Sequence, residues 1–352
     1  MNQSRSDRSR RASGPATLRE VAERAGVSLA TASRVLNGST RVVNPELAAR
    51  VDRAAAELRY VSNAPAQALA RATTSVVGLI VHEVDDPYFA AIAAGAMRVA
   101  TGSGLLTMLA STFRDADREV DYVRRFQAQR VRALLLTGSG RADDGGRLGD
   151  ALAEFVERGG RVAVISDHAL PYDAVLPANE RGGAQVARLL HDLGHRDVGV
   201  ISGPAELTTV RLRLAGFCDE WRRLGGELPD EALCTADFSR AGGRSACVEL
   251  MERRPGTTAI FALNDLMAVG ALAALPDLGL LVPRDLSVVG FDDLWFSADV
   301  QPSLTTVRLP LEEMGARAMS LVLDAPSNRP HRVHFPAELV VRGTTGPRRS
   351  TG

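Results

Sequence analysis

Hydrophobic and polar positions follow two different patterns along this chain. Between residues 17 and 58, apolar residues recur at helical spacing in three short segments separated by polar turns. Thr17 and Glu20 have the spacing of a capping box before the first segment, Ser28 can cap the second, and Asn44 precedes a proline at the start of the third. The pattern predicts helices over 18–25, 29–36 and 45–58.

From Ser75 onward, short apolar runs alternate with helical stretches. The runs are Val76–Val81, Leu105–Ala110, Ala133–Leu136, Val162–Ile165, Val198–Ile201, Ala259–Ala262 and Leu286–Gly290. Continuous apolar runs between helices are typical of parallel strands buried on both faces, so this region is predicted to be doubly wound α/β. Its length of about 275 residues exceeds one typical domain, which indicates two α/β lobes.

The formal net charge of zero hides an uneven distribution. Residues 1–71 hold 12 arginines against six acidic residues, a net charge of +6, and the other 281 residues carry −6. Every cation is arginine, because the chain has no lysine. A basic head on an acidic body predicts that the head alone binds a polyanion such as DNA.

The cysteines and the N-terminal segment bear on the cellular compartment. Cys218, Cys234 and Cys247 are odd in number and lack CxxC spacing, so they are expected to be small apolar residues in a reducing compartment. The N-terminus lacks the apolar stretch of a signal peptide, and no apolar run approaches the roughly 18 residues of a membrane span. We therefore expect a cytoplasmic chain that does not engage a membrane.

The first two predicted helices have the arrangement of a helix-turn-helix, which places its second helix in the major groove of DNA. Leu29 and Ala30 open that helix, where side chains reach base edges. Thr31, Ser33 and Arg34 are polar groups suited to phosphates or bases. The alternative, an ordinary helical hairpin, does not account for the basic setting.

The segment AGVSLATASRVLN, residues 25–37, resembles the lactose-repressor/galactose-repressor family, and the resemblance extends over about residues 17–346. It implies an all-α helix-turn-helix head followed by a two-lobed α/β body like the type I periplasmic binding proteins. Thr17, Ser28 and Asn37 join the expected DNA contacts on this basis.

Residues 60–71, YVSNAPAQALAR, resemble the hinge helix of the same family, which orders on operator DNA. Leu69 matches the side chain that wedges into the minor groove and bends the DNA, and Asn63 matches a position near the DNA backbone. A plain linker is the alternative, because short polar helices are marginally stable alone. The basic residues 1–15 are expected to be disordered.

Further landmarks of the family occur in the body, including LGHRDV at 193–198, GFDD at 290–293 and ELVVR at 338–342. They imply a ligand between the lobes, at the carboxyl ends of parallel strands. The expected organisation is a tail over 1–15, a DNA-binding head over 16–61, a hinge over 62–74 and a ligand-binding and dimerisation domain over 75–348. Lobe one is expected to cover about 75–174 and 305–333, and lobe two about 175–304 and 334–348.

Asp292 and Arg213 match ligand positions of the family and supply a carboxylate acceptor and a two-pronged donor, which suit vicinal hydroxyl groups. Phe238 matches the position where the family stacks an aromatic ring on its ligand, and Tyr88 is expected to face it from the other lobe. Asn264 adds an amide. The remaining ligand-binding candidates are His82, Asp86, Asp167 and Thr209. For each residue, a structural role in capping a strand-end loop is the alternative.

Other chemistries find little support. His191 and His195 are four residues apart and could share a helix face, yet no third metal ligand is evident. Adjacent carboxylates such as Asp292 and Asp293 seldom aim at one bond, and no catalytic or nucleotide-binding motif is present. We expect no metal, no cofactor and no catalytic residue.

The sequence therefore predicts a homodimeric transcriptional regulator, most simply a repressor, that binds a pseudo-palindromic operator and is controlled by a small effector, expected to be a sugar. Two alternatives stay open. The effector could be a purine or another metabolite acting as corepressor, or the body could be a sugar-acting enzyme with a DNA-binding head.

Overall fold

The computed structural model describes residues 16–36, 43–61, 74–138, 140, 146–166, 169–325, 327 and 329–348. The chain forms two compact units that divide between Thr74 and Ser75. The expected tail and nearly all of the expected hinge lie outside the described residues, so both stay predictions.

The described part of the head contains the helices α1 (Leu18–Ala25), α2 (Leu29–Leu36) and α3 (Pro45–Glu57). Thr17 caps α1 through the predicted capping box: its N–H donates to Glu20 Oε2 at 2.7 Å, and its hydroxyl accepts from Glu20 N at 3.4 Å. Val21, Ala32 and Val51, one from each helix, are fully buried in a small core. The predicted helix-turn-helix is confirmed.

The body alternates strands and helices. Its strands among the described residues are β1 (Val76–Val81), β2 (Leu106–Ser111), β3 (Ala133–Thr137), β4 (Arg161–Ile165), β5 (Asp173–Pro177), β6 (Val198–Ser202), β7 (Leu233–Thr235), β8 (Ala259–Ala262), β9 (Ser287–Val289), β10 (Thr306–Arg308), β11 (Arg332–Phe335) and β12 (Glu338–Val340). Its helices are α4 (Pro87–Gly102), α5 (Ala116–Ala128), α6 (Arg147–Glu157), α7 (Asn179–Asp192), α8 (Thr208–Arg223), α9 (Arg240–Arg253), α10 (Asp265–Ala274) and α11 (Leu311–Leu323).

Two parallel sheets define two lobes. The first lobe has the strand order β11-β5-β4-β3-β1-β2, and the second has β7-β6-β8-β9. A short antiparallel ribbon of β10 and β12 lies at the crossover region. Every residue of β3 and of β6 is buried, as expected for strands covered on both faces. The predicted doubly wound α/β architecture with two lobes is confirmed.

The chain passes between the lobes three times, at Ala178, at residues 309–310 and at residues 336–337. Each passage lies a few residues later than the boundary expected from sequence. The physical reason is pairing: β11 continues the first sheet beside β5, with Arg332 opposite Ala174 and Phe335 opposite Pro177. Neither strand reads as a continuous apolar run, so the sequence pattern did not reveal how far the first sheet extends.

Three helix pairs are joined by reciprocal glycines. A Cβ on Gly95 of α4 would overlap the backbone of α11, and a Cβ on Gly315 of α11 would overlap the backbone of α4. The same reciprocity joins α7 to α8 through Gly183 and Gly216, and α9 to α10 through Gly243 and Gly270. The missing side chains let the helices of each pair approach to backbone contact.

The cysteines form no disulfide: Cys234 and Cys247 are buried and Cys218 is half-buried. None of the helices in the described part of the chain combines the length and the hydropathy that a membrane span requires.

Candidate DNA-binding surface and ligand cleft

The hydroxyl groups predicted to contact DNA mostly serve the helix ends. Ser28 caps α2, since its Oγ accepts from Thr31 N at 3.1 Å and lies 2.8 Å from Thr31 Oγ1. The Thr17 hydroxyl is engaged in the capping box of α1. Ser33 is half-buried in the middle of α2. Ser28 and Thr17 therefore stabilise the N-terminal ends of the two helices.

The exposed residues of α2 are of a different kind. Leu29 is 49% exposed, and Ala30 and Arg34 are exposed with it. Apolar side chains can contact the thymine methyl group, and a guanidinium can bind guanine or phosphate. The first two turns of α2 therefore expose apolar and guanidinium groups of the kinds that can contact bases and phosphates in a major groove. The predicted DNA contacts Asn37, Asn63 and Leu69 lie outside the described residues.

A cleft between the lobes is lined by nine side chains. Seven are sequence candidates: Asp86, Tyr88, Thr209, Arg213, Phe238, Asn264 and Asp292. The other two are Phe89 and Arg114. Residues more than 200 positions apart in the chain meet here because each follows the carboxyl end of a parallel strand.

The helix pair α7 and α8 positions Arg213. Its Nε donates to Asn179 Oδ1 at 3.0 Å, its Nη1 donates to Leu263 O at 2.6 Å, and its Nη2 donates to Asp292 Oδ1 at 2.7 Å. The guanidinium also lies 3.9 Å from the centroid of the Phe291 ring. With 1% of Arg213 exposed, this cation is held in one orientation by groups on every side.

Asp292 completes the buried ion pair through only one of its two carboxyl oxygens. Its Oδ1 accepts from Arg213, while no hydrogen bond to its Oδ2 is found among the described residues. Its backbone has φ of +114°, a conformation that costs a non-glycine residue about 1–3 kcal/mol. Such strain accompanies a functional loop more often than a structural one. Asp292 Oδ2 is therefore available as a hydrogen-bond acceptor at the wall of the cleft.

The cleft disfavours negative charge on its carboxyl groups. Burial raises the pKa of Asp292 to about 7, against the opposing effect of the Arg213 guanidinium. Burial also raises the pKa of Asp86. The pKa of the Tyr88 hydroxyl is raised, chiefly by burial and also by the Asp292 charge, so this hydroxyl stays protonated and can donate a hydrogen bond.

Two candidates have structural duties as well. Asn264 caps α10: its Oδ1 accepts from Met267 N at 2.8 Å, and its Nδ2 donates to Phe238 O at 3.1 Å. Asp86 caps α4, since its Oδ1 accepts from Tyr88 N at 2.9 Å. Both line the cleft, yet Asn264 fits the loop-capping alternative, because both of its polar atoms are committed.

His82 does not join the set, and Asp167 stays a prediction. His82 is buried beside the cleft, with its Nδ1 3.0 Å from Thr112 Oγ1 and its ring edge-on to Phe89, but it does not line the cleft. Asp167 lies outside the described residues.

The sequence interpretation missed Phe89 and Arg114. Phe89 reads as an ordinary core position of α4, and it is 5% exposed. Arg114 follows β2 in a turn where Phe113 and Arg114 both have positive φ. Its guanidinium lies 5.1 Å from the centroid of the Phe238 ring, which belongs to the other lobe. No periodic pattern marks such a residue, because its role depends on how the lobes meet.

A wider groove of about 880 Å³ runs along α4 and α11. Its charged residues are in part already paired, since Arg98 donates to Glu312 at 2.6 Å and Asp293 pairs with Arg308 and Arg342 at 2.7 Å each. None of the sequence candidates lines it. The interlobe cleft is therefore the stronger candidate for a ligand site.

Metal binding finds no support in the part of the chain that the structure describes, where no group of three or more His, Cys, Asp or Glu side chains could hold an ion. His195 is engaged otherwise: its Nδ1 lies 2.9 Å from Thr258 Oγ1, and its Nε2 lies 3.1 Å from Ser287 Oγ and from Gly346 O. These contacts tie the C-terminal segment to the second lobe.

Comparison with known proteins agrees with both halves of this architecture. Residues 17–63 match the family of bacterial regulatory proteins of the lacI type, and residues 187–345 match the periplasmic binding protein-like domain. The transcriptional regulator GalS of Salmonella typhimurium is 33% identical over 309 residues, which covers 87% of this chain and 89% of GalS.

Two solved structures extend the comparison. A lac repressor dimer bound to operator and the anti-inducer ONPF has a TM-score of 0.85 at 28% identity, covering 95% of this chain and 100% of that one. A complex of the transcriptional regulator CelR with cellobiose has a TM-score of 0.70 at 30% identity, covering 94% and 99%. The chain therefore belongs to the lacI family of bacterial regulatory proteins.

Proposed function

We propose that this chain is a cytoplasmic, homodimeric repressor whose head binds a pseudo-palindromic operator and whose cleft binds a small uncharged sugar that releases the operator. The observation that carries the proposal is the pairing of Arg213 with Asp292 on the second-lobe wall of the cleft. A buried, strained carboxylate with one uncommitted oxygen, beside an oriented guanidinium, is suited to bind adjacent hydroxyl groups.

The charges of the cleft favour a neutral ligand over a phosphorylated one. Both guanidinium groups that line the cleft are already paired with carboxylates: Arg213 with Asp292, and Arg114 with Glu83 at 2.9 Å. The Asp86 carboxyl is buried in the same cleft. Among the described residues that line the cleft, a phosphate would therefore meet acidic groups and only cations that are already paired.

The aromatic walls support the same ligand class. Phe238 and Tyr88 come from different lobes and both line the cleft. Flat apolar rings suit the C–H faces of a sugar, while the polar groups named above suit its hydroxyls. The CelR complex with cellobiose provides a relative of similar fold with a sugar bound.

A dimer is supported by an exposed apolar surface. Leu106 and Leu109 of the edge strand β2 are 71% and 43% exposed, and Met97 of α4 is 43% exposed. An apolar edge strand is a liability for a monomer and is normally covered. The lac repressor relative is a dimer on its operator, and two-fold operators call for two heads.

The proposal is tested by a thermal-shift screen of the full chain with neutral hexoses, disaccharides, sugar phosphates and nucleobases. A ligand that binds the folded state raises its melting temperature. We expect stabilisation by a neutral sugar, and we expect the same sugar to release operator DNA in a gel-shift assay. Stabilisation by nucleobases or sugar phosphates alone would overturn the ligand class, and tighter operator binding with ligand would make the ligand a corepressor.

Binding without turnover distinguishes a regulator from an enzyme. NMR of the stabilising sugar, incubated with protein for hours, should show no product. Conversion of the sugar would contradict the assignment of the cleft as a purely binding site.

A further inference from the structure

The interlobe cleft is narrow. Its free volume is about 30 Å³, close to the share of one water molecule in the liquid, whereas small-molecule sites measure roughly 300–1,000 Å³. A sugar therefore occupies this cleft only after the lobes, or the side chains between them, move apart. The contacts that cross the cleft decide how readily that happens.

Two contacts at hydrogen-bond range and one between a cation and a ring cross the cleft among the described residues, and the Arg114 guanidinium also attracts the Asp237 carboxylate of the second lobe. The N–H of Thr208 in the second lobe donates to Gly140 O of the first lobe at 2.9 Å. The hydroxyl oxygens of Ser166 and Thr209 lie 3.3 Å apart across the same gap. The third contact joins the Arg114 guanidinium to the Phe238 ring at 5.1 Å.

The third contact differs from the others in how firmly each partner is held. Arg114 Nε donates to Glu83 at 2.9 Å, and Arg114 Nη2 lies 4.0 Å from Asp86 Oδ2. The Phe238 backbone is tied to Asn264, and its ring packs against Gly203, where a Cβ would overlap it. Each partner is thus fixed within its own lobe, so the contact transmits force between the lobes.

The contact is also well shielded. The Arg114 side chain is 19% exposed and Phe238 is 7% exposed, and a cation over an aromatic face is held more strongly when water is excluded.

We propose that Arg114 is a positioning residue of the cleft: by stacking on Phe238, it holds the two lobes together, and a ligand is admitted when this contact breaks. The effect on ligand binding rests on the proposed function, but the clamp between the lobes does not. The apparent ligand affinity decreases when a smaller fraction of molecules is competent to bind. The strength of this contact therefore sets the ligand concentration to which the protein responds.

Hydrogen exchange of the Thr208 amide measures the opening directly. Thr208 is the first residue of α8, its preceding cap makes no side-chain hydrogen bond, and its N–H is bonded to the opposite lobe. Its exchange rate in the full chain, without ligand or DNA, therefore rises with the population of molecules in which this bond between the lobes is broken. The Arg211 amide, which donates to Leu207 O within α8 at 3.1 Å, reports fraying of the helix instead.

Arg114→Ala should raise the exchange rate of the Thr208 amide about threefold to tenfold, with the Arg211 amide unchanged. Arg118→Ala is the matched control. The Arg118 guanidinium lies 5.4 Å from the centroid of the Phe113 ring within the first lobe, so this substitution removes the same charge and the same type of contact without affecting the contact to Phe238. An unchanged Thr208 rate in Arg114→Ala, or an equal rise in Arg118→Ala, would overturn the proposal.

Phe238→Leu tests the contact from the other side and leaves the pairing of Arg114 with Glu83 intact. It should raise the Thr208 rate to a similar extent, and the double variant should exceed neither single variant by more than about twofold, since both remove one contact. Fully multiplicative effects would show that the two residues act separately. Because no ligand is used, these results stand whether or not the sugar assignment is correct.

Discussion

Arg213 Nη2 lies 2.7 Å from Asp292 Oδ1, and both side chains are almost completely buried. The two residues come from different strand-end segments of the second lobe, one from α8 and one from the loop after β9. A buried ion pair contributes little net stability, because desolvation of both charges offsets their attraction. Its presence at the wall of a cleft, on strained backbone, is therefore better explained by ligand binding than by folding.

Asp292→Asn should weaken the response to the stabilising sugar about tenfold, because an amide Nδ2 replaces the uncommitted Oδ2 acceptor and leaves a buried ligand hydroxyl without its partner, at a cost of about 1–3 kcal/mol. Operator binding without sugar should stay within about twofold of the wild type. Titration of operator release against sugar concentration measures both effects.

Arg308→Ala is the control for that experiment. Arg308 pairs with the neighbouring Asp293 at 2.7 Å but is half exposed, and Asp293 keeps Arg342 as a second partner. The control should respond to sugar normally. A normal response in Asp292→Asn would place the ligand elsewhere.

Arg34→Ala should weaken operator binding and reduce the salt dependence of that binding by about one counterion, because each phosphate contact releases roughly 0.9 ions. The measurement is the slope of log affinity against log salt concentration. Arg125→Ala on the body removes the same charge from an exposed side chain and should leave the slope unchanged. An equal loss in both variants would mean that net charge, not the position on α2, determines affinity.

The second lobe should become less stable as the pH rises, because Asp265 then loses its proton. Its side chain is fully buried and accepts from Leu294 N, Ser297 Oγ and Thr306 Oγ1, yet burial raises its pKa to about 6. A carboxyl whose pKa is higher in the folded state binds its proton more tightly there. Its stabilising contribution is therefore complete below the unfolded pKa of about 4 and is lost as the pH rises through the folded pKa of about 6.

Between pH 5 and pH 8 the wild type should therefore lose about 1 kcal/mol that Asp265→Asn does not lose. The free energy of unfolding of each protein is measured by urea titration at several pH values, followed by the fluorescence of Trp221, which is buried in the same lobe. The slopes of this free energy against pH are then compared. Parallel slopes would show that the carboxyl stays ionised throughout this range. The contribution of Asp86 is common to both proteins and cancels. The substitution also removes the Asp265 charge, which adds to the effect of burial in raising the pKa of Asp292, so both changes flatten the slope of the variant.

Gly216→Ala should destabilise the second lobe by about 1–3 kcal/mol, because the new methyl group would overlap Glu180 O and force α7 away from α8. Gly102→Ala, near the end of α4, is the control: nothing lies within 4 Å of its Cβ, so it should be neutral or stabilising by up to about 1 kcal/mol. Thermal unfolding monitored by circular dichroism distinguishes the two. Equal melting temperatures would contradict the close contact between the helices.

Hydrophobic periodicity predicts the strands that are covered on both faces. The runs over β1, β6 and β8 fall within one residue of their bounds in the structure. The pattern does not show β5, β7 or β11, which are three to five residues long and include polar residues or lie at a sheet edge. Their pairing is decided by tertiary contacts, as is the extent of each lobe.

The candidate ligand site is predictable from the sequence only in part. Arg213 and Asp292 were found because they stand in segments that resemble a family, and not because of their periodicity. Arg114 was missed because its place in the cleft depends on the approach of two lobes, which no local pattern encodes. His82 was included for its position in the first lobe, yet its ring packs against Phe89 behind the cleft wall.

The glycine pairs have a mechanical consequence. Where helices touch through their backbones, no side chain can change rotamer to absorb a displacement, so each helix pair moves as one rigid body. Relative motion of the lobes is then confined to the three passages at Ala178, 309–310 and 336–337. Under the proposed function, a small widening of the cleft would become a rotation about those passages, and points far from the rotation axis would travel farther than the cleft walls. Each lobe would then act as a lever, with the ligand close to its axis.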